Sequence, residues 1–351
     1  MKKLRVPKVV IDVERMKYPH TGLHNYCKNL AEFLVKDNSL EYHFFAPKKV
    51  ALPEGYSRID TKIVHKVFIK NSSKYDLWHG TYQTPKYLPR KSVKFVLTIH
   101  DLNFLYEGKS PRKRQKLLRK IQKAINRADY ITAISAFALQ DAQKHLDFKG
   151  KPNKVIHNGV NLLQFPEFDS PGYRPEKKFL FTLGTVLPKK NFHVLIAMMK
   201  SFENFELLIA GIHSSDEYLV KIQELIAANG LENRVHLLGG IREEEKFWYL
   251  KNCEAFMFPS LAEGFGIPVI EAMLLGKPVF LSKSTSLPEI GGKHAYYFEN
   301  FEAEHMVEVV SKGLLDYKEH NKALAIKTWA EQFSWETASA AYREVYESLL
   351  S

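Results

Sequence analysis

Four residues in Pro259–Glu271 (PSLAEGFGIPVIE) have the types and spacing to do chemistry: Glu263, Gly264, Gly266 and Glu271. Glycines at a helix start let the backbone come close to a ligand, and the free N–H groups there suit a phosphate. Two carboxylates beside such a site would repel the same anion, so hydroxyls are the partners that fit them. A ligand carrying both phosphate and hydroxyls is a nucleotide sugar. The same residues also suit an ordinary helix start, with Glu263 as a cap, Glu271 in solvent and the glycines making a tight turn. Taken alone, the stretch leaves both readings open.

The flanking elements hold this stretch at the tip of a βαβ unit. Glu254–Phe258 (EAFMF) predicts a buried strand and Pro268–Leu275 (PVIEAMLL) a helix, with Pro in the first turn and Gly276 past the end. Lys277–Ser282 predicts the next strand. Upstream, Phe179–Leu183 runs into Gly184, Thr185 and the loop cations Lys189 and Lys190, then a helix over Phe192–Met199. Phe205–Gly211 and Arg234–Gly239 predict further strands, joined by helices over Glu217–Asn229 and Glu243–Lys251. Cations at a strand's carboxyl end meet phosphates entering a crevice.

The first half repeats the rhythm. Val6–Val13 predicts a strand, followed by Thr21, Gly22 and a helix over Leu23–Val35; no G-x-G-x-x-G is present, so Gly22 also suits a plain turn. Glu41–Ala46, Tyr75–Gly80 and Lys94–His100 predict short strands, the last ending at His100-Asp101. His100 there suits donating a hydrogen bond to a sugar or phosphate, or capping a turn. Ala128–Ser135 and Lys154–Ile156 predict two more strands around a helix over Ala136–Leu146, and Asn161–Pro175, with three prolines, reads as a linker. Alternating strands and helices imply parallel sheets covered on both faces, here in two doubly wound α/β domains facing a cleft.

Lys109–Arg127 is the most unusual composition in the chain. It carries Arg112, Lys113, Arg114, Lys116, Arg119, Lys120 and Lys123 with no acid, while Leu117, Leu118, Ile121 and Ile125 recur at helical spacing. An amphipathic helix with such a face fits an anionic membrane or a phosphorylated acceptor, or stands simply solvated. It lacks the interleaved aromatics that single-stranded nucleic acid requires.

Composition bounds the alternatives. The 351 residues are 45% hydrophobic and 26% charged, enough for two globular domains with cores. No apolar run is long enough to span a bilayer, and the N-terminal apolar run is too short for a signal peptide. Cys27 and Cys253 have no metal-ligand spacing, which reads as a reduced, cytoplasmic protein. The net charge of +12 favours an anionic partner: nucleic acid, membrane or phosphorylated substrate.

With these residues assembled, the chain resembles the retaining glycosyltransferases of family 4, which have the GT-B fold: two Rossmann-like domains facing an interdomain cleft. EGFGIPVIEAM (Glu263–Met273) is similar to that family's E-x7-E signature. The glycine loop at Gly22, the strand end His100-Asp101, V-x-x-N-G-V at Val155–Val160, LGTVLPKKN at Leu183–Asn191 and FSW at Phe333–Trp335 fall in the family's order. Mannosyltransferase-type members are the most similar.

The resemblance implies roles. Glu263 would hold donor-sugar hydroxyls, and the backbone of Gly264, Phe265, Gly266 and Ile267 would meet the sugar and diphosphate. Glu271 would bind the ribose, and Lys190 would neutralise the leaving diphosphate. Gly22 and Gly184 would bring backbone to the phosphates, and His100 would contact the sugar near the reacting carbon. Thr185 stands where many members have Arg, and Lys189-Lys190 where many have Arg-Lys. A Lys lacks the bidentate fork of Arg, so Lys190 becomes the main clamp with Lys189 in support.

The implied domains are 1–165 on the acceptor side, 166–332 for the donor, and 333–351, whose helix over Trp335–Leu350 packs back on the first. The implied reaction moves a hexose, mannose from GDP-mannose in the first instance and a UDP-linked hexose as the alternative donor, to a cell-surface glycan or lipid-linked acceptor. No cofactor is implied. No D-x-D occurs, in keeping with a metal-independent site. Arg112, Lys113, Lys116 and Lys120 would serve a membrane or acceptor contact at the inner face of the plasma membrane, with no nucleic acid involved. A nucleotide-sugar 2-epimerase of the same fold and a basic nucleic-acid binder are the alternative readings.

Overall fold

The computed structural model describes residues 5–19, 21–53, 55–66, 69 and 72–351. Residues 1–4 of the N-terminal stretch weighed above against a signal peptide lie outside the described residues. The chain forms two compact units, Met1–Gly159 with Phe333–Ser351, and Val160–Gln332.

The first unit is built on seven strands: β1 (Lys8–Asp12), β2 (Glu41–Ala46), β3 (Ser57–Asp60), β4 (Leu77–Gly80), β5 (Lys94–Ile99), β6 (Tyr130–Ala133) and β7 (Asn153–Val155). All pair in parallel, in the order β3-β2-β1-β4-β5-β6-β7. Helices α1 (Gly22–Leu34), α2 (Pro111–Arg127) and α3 (Ala136–His145) connect them. Every residue of β4 is buried, as a strand covered on both faces requires. β3 escapes the sequence reading because it is a short polar edge strand, S-R-I-D, none of it buried.

The second unit holds six parallel strands: β8 (Lys178–Leu183), β9 (Phe205–Ala210), β10 (Val235–Gly239), β11 (Ala255–Phe258), β12 (Val279–Ser282) and β13 (Tyr296–Phe298). Their order is β10-β9-β8-β11-β12-β13. Its helices are α4 (Val194–Met198), α5 (Asp216–Ala228), α6 (Glu243–Asn252), α7 (Ile267–Leu274), α8 (Leu287–Gly291), α9 (Ala303–Glu319) and α10 (Ala323–Glu331). β11 and β12 are buried throughout and pair on either side of the α7 crossover, which is the βαβ unit read from the sequence.

The stretch read as a linker begins outside the second unit's sheet but is fastened to it. Gly172 N donates to Glu245 (2.8 Å), Tyr249 Oη to the Tyr173 carbonyl (2.7 Å), and Tyr173 Oη to Glu206 (2.7 Å). The units divide at Gly159/Val160, some residues before the boundary read from sequence at 165/166.

The last helix, α11 (Trp335–Leu350), belongs to the first unit and packs on α1. Tyr26 and Tyr342 share a hydroxyl hydrogen bond of 2.7 Å, and Tyr346 Oη meets His79 Nδ1 at 2.7 Å, all of them buried. Gly159 passes so close that a Cβ there would lie 2.3 Å from Trp335 N. The N-G-V turn therefore needs glycine for a packing reason of its own.

Candidate active site

In an open parallel sheet, ligands bind beyond the carboxyl ends of the strands, where the strand order reverses. In the second unit that point lies between β8 and β11. The loop after β8 carries Gly184, Thr185, Lys189 and Lys190, and the loop after β11 carries Glu263 to Gly266. The fold thus brings the two sequence-distant motifs to one edge.

The two loops are tied by hydrogen bonds. The Lys189 carbonyl accepts from Leu261 N (2.7 Å) and Ser260 Oγ (3.1 Å). Lys190 Nζ lies 2.6 Å from Glu263 Oε1, which also accepts from Ser260 Oγ at 2.6 Å. The Glu263 backbone N–H donates to Thr285 Oγ1 (2.9 Å), and Ser286 Oγ donates to the carbonyls of Glu263 (3.2 Å) and Phe265 (2.8 Å). Lys190 also sits 4.8 Å from the centroid of the Phe258 ring.

The side chains of this pair are only 12% and 15% exposed, yet among the described residues Glu263 Oε2 has no partner, and it is not sealed from solvent. One carboxylate oxygen is held and the other is offered. That is not the helix cap the bland reading allows, because α7 takes its N-cap from Gly266 with no side-chain bond.

Two glycines are dictated by the backbone here. Gly266 has φ +121° at the start of α7, and Gly184 has φ +151° with the Lys190 stem directly over it: a Cβ on Gly184 would lie 3.0 Å from Lys190 Cε. The N–H groups of Gly266 and Ile267 have no protein acceptor among the described residues. They are free donors on the same loop as Glu263, which holds the Lys190 ammonium.

Glu271 is buried on α7, and its partner is one the sequence reading missed. Lys246 of α6 contacts Glu271 Oε1 at 2.7 Å and Glu243 Oε2 at 2.7 Å. Burial pushes the Glu271 carboxyl above the usual carboxylate range, against the opposing pull of Lys246. Burial also pulls Lys246 down, but the two carboxylates outweigh it and hold its ammonium above the ordinary range.

Gly22 and His100 lie in the first unit, whose own order reverses between β1 and β4. Gly22 opens α1 behind the Thr21 cap, which accepts from His24 N at 3.2 Å. A Cβ on Gly22 would meet nothing within 4 Å, so packing does not demand glycine there.

His100 follows β5 and is buried against the Tyr26 ring, centroids 4.6 Å apart. Its Nε2 lies 2.8 Å from the Thr81 carbonyl, so Nε2 carries the proton and Nδ1 keeps the lone pair. Burial lowers its pKa to about 4, so the ring is neutral at physiological pH. The donor role considered from sequence is corrected accordingly: toward a ligand this nitrogen accepts, because the protein has already taken the ring's one N–H.

Helix α2 buries Ile121, Ala124 and Ile125 and exposes Arg112, Lys113, Lys116, Arg119, Lys120 and Lys123. Among the described residues none of these six has a carboxylate partner. Arg114 and Arg127 are turned inward, the latter donating to the carbonyls of Arg90 and Val93.

Sequence reasoning passed over Ser260, Thr285, Ser286 and Lys246. Ser260 lies within the Pro259–Glu271 stretch, two residues past the buried strand β11, and was findable as its polar residue nearest that strand. The others act from different elements, and no local signal marks them.

Residues 63–163 match the family model described as Glycosyltransferase Family 4, and residues 164–328 that described as Glycosyl transferases group 1. The Escherichia coli O-antigen chain mannosyltransferase B is 23% identical over 97% of this chain and 100% of its own length. The E. coli serotype-specific mannosyltransferase WbdA is 30% identical over 73% of this chain, which spans only 34% of that longer protein. Among solved structures, the sucrose-phosphate synthase of Thermosynechococcus elongatus superposes with a TM-score of 0.77 over 98% of this chain and 99% of that one, at 18% identity. At that identity the likeness concerns the fold, which is GT-B.

Proposed function

The chain belongs to the glycosyltransferases, a family 4 segment followed by a group 1 segment, and from that premise we propose that it transfers mannose from GDP-mannose, with retention of anomeric configuration, to a growing cell-surface glycan or lipid-linked acceptor. The observation that carries this reading is the Lys190–Glu263 pair beside the free N–H groups of Gly266 and Ile267. One small site combines a cation and two donors for a diphosphate with an acceptor oxygen for sugar hydroxyls.

Cleavage of the glycosyl–phosphate bond leaves positive charge on the sugar ring and negative charge on the departing diphosphate. Lys190 and the N–H groups at the start of α7 meet the negative charge where it develops. Glu263 Oε2 holds the sugar by a hydroxyl, and Glu271 Oε2 takes the ribose. The acceptor hydroxyl forms its bond to the anomeric carbon on the face the diphosphate leaves, and its proton passes to the departing phosphate oxygen.

A thermal-shift panel of GDP-, UDP- and ADP-sugars tests the donor, since a ligand held at a hundred times its Kd raises folded-state stability by about 2.7 kcal/mol. GDP-mannose gives the largest shift. A larger shift with UDP-sugars overturns the mannose assignment and leaves the glycosyltransferase one standing.

The acceptor-side reading extends to a lipid surface. The six exposed cations of α2 fall on one stripe without acids, as an anionic bilayer would require. Among the described residues no helix is long and apolar enough to cross a membrane, so contact would be peripheral. Each surface cation contributes about 1 kcal/mol to binding anionic lipid. Charge reversal at Lys113, Lys116 and Lys120 together therefore abolishes co-sedimentation with phosphatidylglycerol-containing vesicles. A wild type that stays in the supernatant rejects the lipid contact.

A further inference from the structure

Glu271 is buried on α7, and the charged groups acting on it come from one neighbouring helix. Helices α6, α8 and α10 and strands β11 and β12 pack on α7. Of the charged groups on these elements, Lys246 and Glu243, both of α6, are the ones that face Glu271. Lys246 is only 16% exposed in its side chain and Glu271 9%. Stability offers no reason for such a pair: desolvating two charges costs about as much as their attraction returns, and an apolar pair would join the helices as well. The geometry suggests another use. Lys246 occupies Oε1, while among the described residues Oε2 has no partner, and it is not sealed from solvent.

We propose that Lys246 is a positioning residue for nucleotide recognition, clamping Oε1 of Glu271 so that Oε2 is presented, as a carboxylate, to the ribose hydroxyls. The inference rests on the reading of Glu271 as the ribose ligand. Without the ammonium, a buried carboxyl takes up a proton and its oxygen becomes a weaker acceptor for a hydroxyl. Glu243, half exposed, shares the ammonium and keeps Lys246 from leaving with solvent. The raised Glu271 pKa agrees with this division: burial opposes the carboxylate, and Lys246 is the one group that favours it.

The test compares affinities for GDP and 2′,3′-dideoxy-GDP, and for UDP and its dideoxy form, by calorimetry at neutral pH. Taking the ratio within each pair cancels phosphate ionisation and base binding. In the wild type the ribonucleotide binds about tenfold or more tightly, the worth of a hydrogen bond to a charged group. In Lys246→Met the ratio falls to about threefold or less, and Lys246→Arg restores it.

Lys246→Gln carries the same comparison if the Met variant does not fold. If Lys246 only fastened α6 to α7, its loss would weaken both nucleotides of a pair alike, and an unchanged ratio in the folded variants overturns the proposal. Glu271→Gln separates the two layers. A ratio unaffected by that change rejects the ribose reading itself, whereas a ratio that collapses in Glu271→Gln but persists in Lys246→Met rejects only the role of Lys246.

Discussion

Replacing Glu263 with Ala lowers transfer by on the order of 10²-fold or more while the protein stays folded. The reason is positional. Oε1 is fixed by Lys190 and Ser260, so Oε2 has a defined place, and a sugar hydroxyl bound there aligns the anomeric carbon. Ala removes that alignment and leaves the backbone anchors of the loop to Thr285 and Ser286 in place. The same change frees the Lys190 ammonium from its carboxylate. Binding of the nucleoside diphosphate alone therefore tightens several-fold as turnover collapses, because the freed cation interacts with phosphate unopposed. A radiolabelled-donor assay measures the first effect and calorimetry the second. Unchanged turnover would sink the assignment of Glu263, and weakened diphosphate binding would sink that of Lys190.

Gly211→Ala costs the second unit about 3 kcal/mol or more. Gly211 follows β9 with φ +141°, and a Cβ there would stand 2.0 Å from the Gly184 carbonyl oxygen and 2.6 Å from its carbon. The obstacle is backbone, which cannot rotate away as a side chain can. Relief requires moving the Gly184–Thr185 peptide, and Lys190 lies directly over Gly184. Nucleotide affinity falls together with the urea midpoint. Gly22→Ala is the control: nothing lies within 4 Å of the added carbon, so its stability changes by less than about 0.5 kcal/mol. Equal midpoints for the two variants would mean that the close approach after β8 and β9 is not rigid.

The course of the fold was legible where its signals are local. β2 (Glu41–Ala46) and α11 (Trp335–Leu350) have the bounds read from sequence, because alternation and helical spacing act over a few residues. β3 and β13 were not read, being short edge strands that depend on a neighbour for their definition. Asn161–Pro175 read as a linker from its prolines, but composition says nothing of the Glu206 and Glu245 carboxylates that dock its end. His100 was found by its place at a strand's end. The direction of its hydrogen bond was not, since that depends on the Thr81 carbonyl, which β4 brings to it.

By itself the sequence determined the two α/β units, the family and the residues worth testing, because the E-x7-E stretch, the glycine turns and the strand-and-helix rhythm are written over short spans. Tertiary structure alone decided how the charges are partnered. Lys190 meets Glu263 across 73 residues and Lys246 meets Glu271 across 25. Those meetings follow from the placing of β8 beside β11 and the packing of α6 on α7. A carboxylate's chemistry depends on the nearest charge in space, and nearness in space across a parallel sheet has no counterpart in sequence spacing.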